Sequence, residues 1–432
     1  MNTDPIKCMS HNRRLNAAEL EIDLFCKGIR IHESCDLARD ARVFAKARAG
    51  LGSGLEIYIP GQKRIWLNVP VLENFASKSP YELRRENENY KVYHTLDKES
   101  YDIELPPAPD WYFRQTSTGV EMQKIGVLQG TYLGIYLHDV CSFWKSDPRE
   151  NCKFCATGIN VGPAGTDKQK KSVREVVETA QAAKAESGVT FVHFNTGFQD
   201  YKGLDLSAPF VKAIKEEVGA LVGLQAIPSQ ELWKYDWLID CGVDHFSFCY
   251  ELHNPDEFAK YLPGKQRMIT QQAFFDAMEY TSRKMGKGRV SGEIIAGIEP
   301  IEDTLKAIDY ITSIGAFPTV CIFRPVKGSD MEDWPSPAYD DMIRVFRRVY
   351  EGCMKNGIPV GLTPNIEVSL IVQPTDAEQL VEPSLQYYLY KTKLALMRPL
   401  VGMIYRRAIQ PRTIRADADH PPISSTGKNE SA

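Results

Sequence analysis

The chain has 432 residues, a net charge of −4 and a pI of about 6.1, so its composition has no basic surplus that would favour nucleic acid as a partner. Its length predicts a large domain with at least one appendage. No apolar run reaches the ~18 residues of a membrane span, and the N-terminus has no signal-peptide pattern. We therefore expect a cytoplasmic protein without a membrane partner, whose ten cysteines are reduced thiols or metal ligands.

The first part of the chain, residues 1–118, is predicted to be a partly β accessory region. Residues 54–72 contain two apolar runs separated by a turn with proline and glycine, which indicates two joined strands. Residues 105–111 contain three prolines and are typical of a linker.

The next part, residues 119–335, alternates apolar runs of strand length with helical stretches. Strands are predicted over 132–138, 189–197, 221–227, 244–251, 289–299 and 317–326, and helices over 170–187, 270–286 and 301–315. Strands that alternate with helices pair in parallel through right-handed crossovers. Six such units are two fewer than a closed barrel needs, so the sequence predicts an α/β fold with a partial, TIM-like (β/α)6 barrel.

Residues 336–415 are predicted to form a C-terminal α/β extension, with a helix over 342–357 and a strand over 366–372. Residues 394–405 are the most membrane-like piece of the chain, but they are too short to span a membrane and Pro399 interrupts them. We interpret them as part of a packed amphipathic helix. The polar residues 416–432 are predicted to be a disordered tail.

Three cysteines follow the first barrel strand in a C-x10-C-x2-C pattern, Cys141, Cys152 and Cys155. Loops after the strands of a parallel barrel form its active-site face, so these thiols are expected there. The polar residues 147–151 argue against three unrelated buried thiols. Two occupants remain open. With His138 the thiolates would complete a structural zinc site of a barrel protein with a binding or hydrolytic role. Without it they would hold a [4Fe–4S] cluster with one iron open.

The segment Cys-Lys-Phe-Cys at 152–155 resembles the C-x-aromatic-C end of the radical S-adenosylmethionine (SAM) superfamily motif. The usual spacing in that superfamily is C-x3-C-x2-C, from which this chain departs in its first gap. Residues 195–197, 291–304 and 323–329 resemble later strand motifs of the superfamily in their order along the chain. The resemblance covers about residues 130–330 and follows the layout of the biotin-synthase-like branch.

The resemblance implies a [4Fe–4S] cluster held by the three cysteines and SAM chelated by the open iron. Reductive cleavage of SAM would then start radical chemistry on a substrate, in an oxygen-sensitive protein. Cleavage of a different C–S bond, with transfer of an aminocarboxypropyl group, stays open. The residues implied beside the cluster or SAM are Phe154, Asn195, Thr196, Gly197, Glu251, Glu293 and Arg324.

The resemblance also implies an external electron donor of the flavodoxin or ferredoxin type. We expect a small-molecule substrate, because the chain shows no RNA-binding or cobalamin-binding module. Residues 48–61 and 79–81 resemble radical SAM proteins found beside bacterial nitrilase genes. The other seven cysteines form no C-x2-C pair, and we expect Cys249 and Cys321 to be buried apolar thiols, and His193 and His245 to be hydrogen-bonded core histidines.

Overall fold

The structure is a computed structural model that describes residues 10–35, 45–48, 52–61, 63–162, 165 and 167–419. The strands are β1 Arg30–Ile31, β2 Ala45–Arg48, β3 Gly52–Ile59, β4 Ile65–Pro70, β5 Tyr81–Glu86, β6 Asn89–His94, β7 Glu99–Ile103, β8 Val127–Gln129, β9 Tyr132–Tyr136, β10 Phe191–Asn195, β11 Leu221–Gln225, β12 His245–Glu251, β13 Val290–Ala296 and β14 Phe317–Ile322. The helices are α1 Ala17–Lys27, α2 Ser142–Lys145, α3 Thr157–Asn160, α4 Val173–Ser187, α5 Gly203–Ala213, α6 Trp233–Cys241, α7 Pro255–Tyr261, α8 Pro263–Met268, α9 Gln271–Met285, α10 Ile301–Ser313, α11 Tyr339–Asn356, α12 Pro374–Ala377 and α13 Leu385–Ala408.

The predicted partial barrel is confirmed. Strands β9 to β14 lie side by side in chain order, each parallel to the next, and β8 adds an antiparallel edge strand to β9. All six strands were predicted within a few residues of their bounds, because each is a short apolar run buried beneath the helices that follow it. The carboxyl ends of β9–β14 meet at one end of the sheet, which we call the mouth.

The helices between the strands begin and end at residues that the sequence identifies. Helix α4 starts with a capping box, in which Ser172 and Glu175 each bond the other's backbone N–H. It ends at Gly188, whose φ of +67° suits a left-handed C-terminal cap. The helices predicted over 270–286 and 301–315 correspond to α9 and α10.

The accessory region holds α1 and two small sheets. Strands β3 and β4 form the predicted hairpin, with Ile59 opposite Ile65, in a sheet ordered β2-β3-β4. A second sheet is ordered β1-β5-β6-β7, and the two sheets are linked by paired backbone hydrogen bonds between Tyr58 and Glu104. Buried residues of α1, both sheets, the barrel and α11 form one hydrophobic cluster, so the accessory region shares the core of the barrel.

The C-terminal extension differs from the prediction. The strand predicted over 366–372 is wrong, because these residues form an irregular segment between the hairpin and the barrel. The carbonyls of Ser369 and Glu367 accept hydrogen bonds from the N–H groups of Asn68 and Thr131, at 2.7 and 3.0 Å. The apolar run is explained by this burial rather than by a sheet. Beyond 408, the carbonyl of Asp417 accepts a bond from the indole N–H of Trp237 at 2.8 Å, and residues 420–432 of the predicted tail lie outside the described residues.

Candidate active site

The three cysteines of the C-x10-C-x2-C motif lie at the mouth of the barrel, as their position after β9 predicted. Cys141 directly precedes α2, and its Sγ accepts a bond from the backbone N–H of Phe198 at 3.4 Å. Cys152 and Cys155 lie in one turn, closed by a 3.0 Å bond from the N–H of Cys155 to the carbonyl of Cys152. The Sγ of Cys155 accepts from the N–H of Thr157 at 3.4 Å.

Residues 141–155, which we call the cysteine loop, hold the three thiols in one electrostatic neighbourhood. Burial raises the pKa of Cys152 well above its ordinary range; the Lys265 ammonium opposes this, and the other two thiols add to it. Burial also raises the pKa of Cys141, which the N–H of Phe198 opposes and Cys155 reinforces. Two such buried thiols ionise together only if positive charge is brought near them. The cysteine loop is therefore suited to a cationic metal centre.

A glycine leaves room beside the first cysteine. Gly197 follows β10 with a φ of +59°, and a Cβ added there would lie 2.6 Å from the hydroxyl oxygen of Tyr136 and 3.1 Å from the Cβ of Cys141. Its N–H donates to the side-chain oxygen of Asn195 at 2.9 Å. The predicted segment 195–197 thus contacts the predicted cysteine loop, and the close packing explains why glycine stands at 197.

A network of polar side chains lies inside the barrel near the mouth. Asn195 donates to Gln225, and Gln225 in turn donates to the carboxylate of Glu293. Cys249 and Glu293 are neighbours in the parallel register of β12 and β13, and the thiol donates to the carboxylate at 2.6 Å. Burial raises the pKa of Glu293, against the lowering effect of these hydrogen bonds. The expectation of a buried apolar thiol does not hold for Cys249, which is partly buried and has polar partners.

Lys265 and Glu251 form a buried ion pair near the thiols. The ammonium of Lys265, on α8, bonds both carboxylate oxygens of Glu251 at 2.6 and 2.5 Å and the carbonyl of Cys249 at 2.6 Å. Burial raises the pKa of Glu251 to about 7, although Lys265 lowers it. The same contact raises the pKa of Lys265, although burial lowers it, so the proton stays on the lysine.

His138 does not join the cysteines. Its ring packs edge-on against Phe210 of α5, at 5.7 Å between ring centroids, and its Nε2 is buried without a hydrogen-bond partner. Across the described ranges, no three His, Cys, Asp or Glu side chains converge as ligands of a single metal ion. A tetrahedral zinc site requires such convergence, whereas the thiolates of a [4Fe–4S] cluster bind different irons. The alternative with three cysteines and His138 is therefore not supported by this geometry.

Comparison with known proteins finds two kinds of relative, while no family model matches the chain. A biotin synthase of Paramagnetospirillum magneticum is 26% identical over 206 residues, which cover 45% of this chain and 59% of that protein. A bacteriochlorophyllide c C-7(1)-hydroxylase of Chlorobaculum limnaeum is 28% identical over 120 residues, 28% of this chain and 29% of the hydroxylase. These findings support the resemblance of the chain to the radical SAM superfamily. The superfamily resemblance and its biotin-synthase-like layout are confirmed, while the resemblance to proteins beside nitrilase genes stays a prediction.

The aligned segments cover less than two thirds of each of these relatives. Among solved structures, a radical SAM methyltransferase from Sphaerobacter thermophilus aligns with a TM-score of 0.40 and 12% identity, over 66% of this chain and 78% of that one. No helix of the described residues is both long enough and apolar enough to cross a membrane.

The cysteine loop fits the cofactors of the radical SAM superfamily, a [4Fe–4S] cluster and SAM. The loop supplies three thiols, and two of the sulfurs accept backbone N–H bonds, which stabilise cluster thiolates. Phe154, between the last two cysteines, is 7% exposed and lines a cavity with Cys321 and Arg324. Thr196 is fully buried and its hydroxyl donates to the carbonyl of Gly197 at 2.9 Å.

Arg324 is placed differently from the other predicted SAM contacts. Its guanidinium bonds the carbonyl of Asn68 at 2.6 Å and lies 3.9 Å from the carboxylate of Glu73. These partners belong to the accessory region, so Arg324 links that region to the barrel. Arg324 also lines the cavity beside Phe154, and its role toward SAM or substrate stays a prediction.

Sequence reasoning missed two polar residues that lie near the cysteine loop. Gln225 is the last residue of β11, and a polar residue at the carboxyl end of a barrel strand was a usable signal. Lys265 gave no such signal, because it lies 14 residues after Glu251 and α8 must fold back over the mouth to bring it there.

Proposed function

We propose that this protein is a radical SAM enzyme that acts on a small molecule. The observation that carries the proposal is the position of the three motif cysteines, Cys141, Cys152 and Cys155, in one loop at the carboxyl ends of parallel strands, with Gly197 packed against the first of them. When bound there, the cluster and SAM supply reductive cleavage of the sulfonium and the radical that acts on the substrate. The barrel over 119–335 would carry this chemistry, with 1–118 and 336–415 as flanking regions.

The residues around the thiols would bind and orient SAM. Asn195 and Gln225 present an amide pair at the ends of two neighbouring strands, suited to hydrogen-bond a polar ligand. The carboxylates of Glu251 and Glu293 would accept bonds from amino or hydroxyl groups. Phe154 and the apolar residues that line its cavity would exclude water from a bound aromatic ring.

The partners of the reaction are also part of the proposal. Reduction of a cluster at the mouth needs an external electron donor, for which a flavodoxin or ferredoxin is the candidate. The two relatives are named for biotin and for a bacteriochlorophyllide, both small organic molecules, which supports a small-molecule substrate here.

The test is anaerobic purification of the full chain, reconstitution with iron and sulfide, and electron paramagnetic resonance of the reduced protein with and without SAM. We expect a [4Fe–4S] signal that shifts on addition of SAM. Cys152→Ala should lose iron and signal, because it removes one of the three thiolates. Cys353→Ala is the matched control, since Cys353 is fully buried in α11, outside the cysteine loop, and should retain both.

The products separate the remaining alternatives. Formation of 5′-deoxyadenosine from SAM would support the radical reaction, whereas methylthioadenosine would indicate transfer of the aminocarboxypropyl group. One tightly held zinc and no iron after reconstitution would contradict the proposal. Equal iron content in Cys152→Ala and Cys353→Ala would contradict the assignment of the ligands.

A further inference from the structure

Helix α13, Leu385–Ala408, has a second apolar face that the protein leaves uncovered. The helix buries Tyr390, Leu394 and Tyr405 against the body of the molecule. Of the fourteen large hydrophobic side chains exposed in the described residues, seven belong to this one helix. They are Leu385, Tyr388, Leu389, Leu396, Leu400, Met403 and Ile404. The amphipathic helix predicted from 394–405 therefore has one packed apolar face and one exposed apolar face.

The exposed residues form a stripe rather than a scatter. At 3.6 residues per turn, Leu385, Leu389, Leu396, Leu400 and Met403 fall on one side of the helix, opposite the buried tyrosines. Leu385 and Leu396 are each 77% exposed. A contiguous exposed apolar patch of this kind marks an interaction surface.

The charge of the helix indicates what covers the stripe. Residues 385–408 contain five cations and no Asp or Glu, although the whole chain has a net charge of −4. Lys391 is paired with Glu378 at 2.6 Å, while Arg398, Arg406 and Arg407 are exposed. A leucine-rich stripe flanked by arginines is typical of a helix that lies in the plane of an anionic membrane surface.

Other occupants fit this face less well. Two copies paired through α13 would bring cations together with no acidic residue on either helix. The chain's own residues 420–432 contain a single large apolar residue, Ile423, which is too little to cover the stripe. An electron donor must approach the mouth, but Tyr405 bonds Thr190, the residue before β10, and so α13 lies at the opposite end of the barrel.

We propose that α13 docks the protein on anionic lipid membranes, with the stripe Leu385–Ile404 at the lipid surface and the mouth of the barrel facing water. This is peripheral binding, distinct from a membrane span, and it departs from the expectation from sequence that no membrane is a partner. The proposal does not depend on the radical chemistry, because it concerns the end of the barrel away from the cysteines.

The experiment is flotation of the full-length protein with vesicles of phosphatidylcholine alone and of equal parts phosphatidylcholine and phosphatidylglycerol. We expect flotation with the anionic vesicles that weakens as salt is raised. The double substitution Leu396→Asp with Leu400→Asp should lower the bound fraction about tenfold or more, because it places charge in the apolar stripe. Leu206→Asp is the matched control, since Leu206 is a leucine 41% exposed on α5, and it should float like the wild type.

A second variant keeps the test decisive if the aspartates disturb folding. Arg406→Gln with Arg407→Gln leaves the apolar stripe intact and should weaken binding to anionic vesicles without changing the melting temperature. Absence of flotation in the wild type, or equal flotation of the wild type and all variants, would overturn the proposal. A wild-type dimer by light scattering that the leucine variant makes monomeric would overturn it as well, because the stripe would then bind a second copy.

Discussion

Replacement of Gly197 by alanine tests whether the cysteine loop is held in place by the strand beside it. An alanine at a φ of +59° costs about 1 kcal/mol in backbone strain. Its methyl group would stand 2.6 Å from the hydroxyl oxygen of Tyr136 and 3.1 Å from the Cβ of Cys141, so both must move. Moving Tyr136 breaks its 3.0 Å bond to the carbonyl of Asp139, which adds about 1 kcal/mol.

We therefore expect Gly197→Ala to lower the free energy of unfolding by about 2 kcal/mol and to bind less iron after reconstitution. Gly119→Ala separates the two effects, because Gly119 has a φ of +79° with no atom within 4 Å of the added Cβ. The free energy of unfolding of Gly119→Ala should fall by about 1 kcal/mol, and this variant should bind as much iron as the wild type. Urea denaturation and iron analysis of both variants give the comparison. Equal stability and equal iron in the two would refute the contact between Gly197 and the cysteine loop as the cause.

Three further substitutions test other parts of the structure. Lys265→Met leaves the Glu251 carboxylate buried without its cation, and urea denaturation should show a free energy of unfolding lower by about 3–5 kcal/mol. Adding Glu251→Gln to this variant should recover part of the loss. No recovery would argue against the ion pair. Burial raises the pKa of Glu299 from 4.5 to about 7, so the folded state holds this proton more tightly than the unfolded state does. The free energy of unfolding should therefore fall by about 3 kcal/mol as pH rises from 4.5 to 7. Melting curves of Glu299→Gln across the same pH range should lack this fall. Ser172→Ala removes the capping box of α4 and should lower stability by about 1 kcal/mol, and a loss under a few tenths would contradict the role of the cap.

The sequence predicted those features that depend on neighbouring residues. The six barrel strands are short apolar runs, and α4 has its capping serine before it and its glycine after it, so each could be located without tertiary information. The position of the three cysteines followed from the rule that loops after parallel strands share one face.

The features that could not be predicted depend on contacts between distant residues. The direction of His138 is set by its packing against Phe210, which lies 72 residues away. Arg324 bonds Asn68 across 256 residues of chain, and no local pattern distinguishes that contact from one with SAM. The apolar run at 366–372 fills the gap between two sheets, and a buried irregular segment has the same composition as a buried strand.

The interior of the barrel separates neutral polar groups from charged ones along the strands. Away from the mouth, His193 and His245 bond Ser247 and Ser291 at 3.3 and 3.1 Å. Burial lowers the pKa of His193 to about 4 and that of His245 to about 3, so both rings are neutral at pH 7. The ionised pair Lys265–Glu251 and the carboxyl of Glu293 lie instead beside the cysteines. A charged ligand that enters the barrel meets its electrostatic partners near the mouth, while the histidines beyond them contribute hydrogen bonds without charge. With SAM bound as proposed, this arrangement would favour its charged part next to the thiols rather than deeper in the sheet.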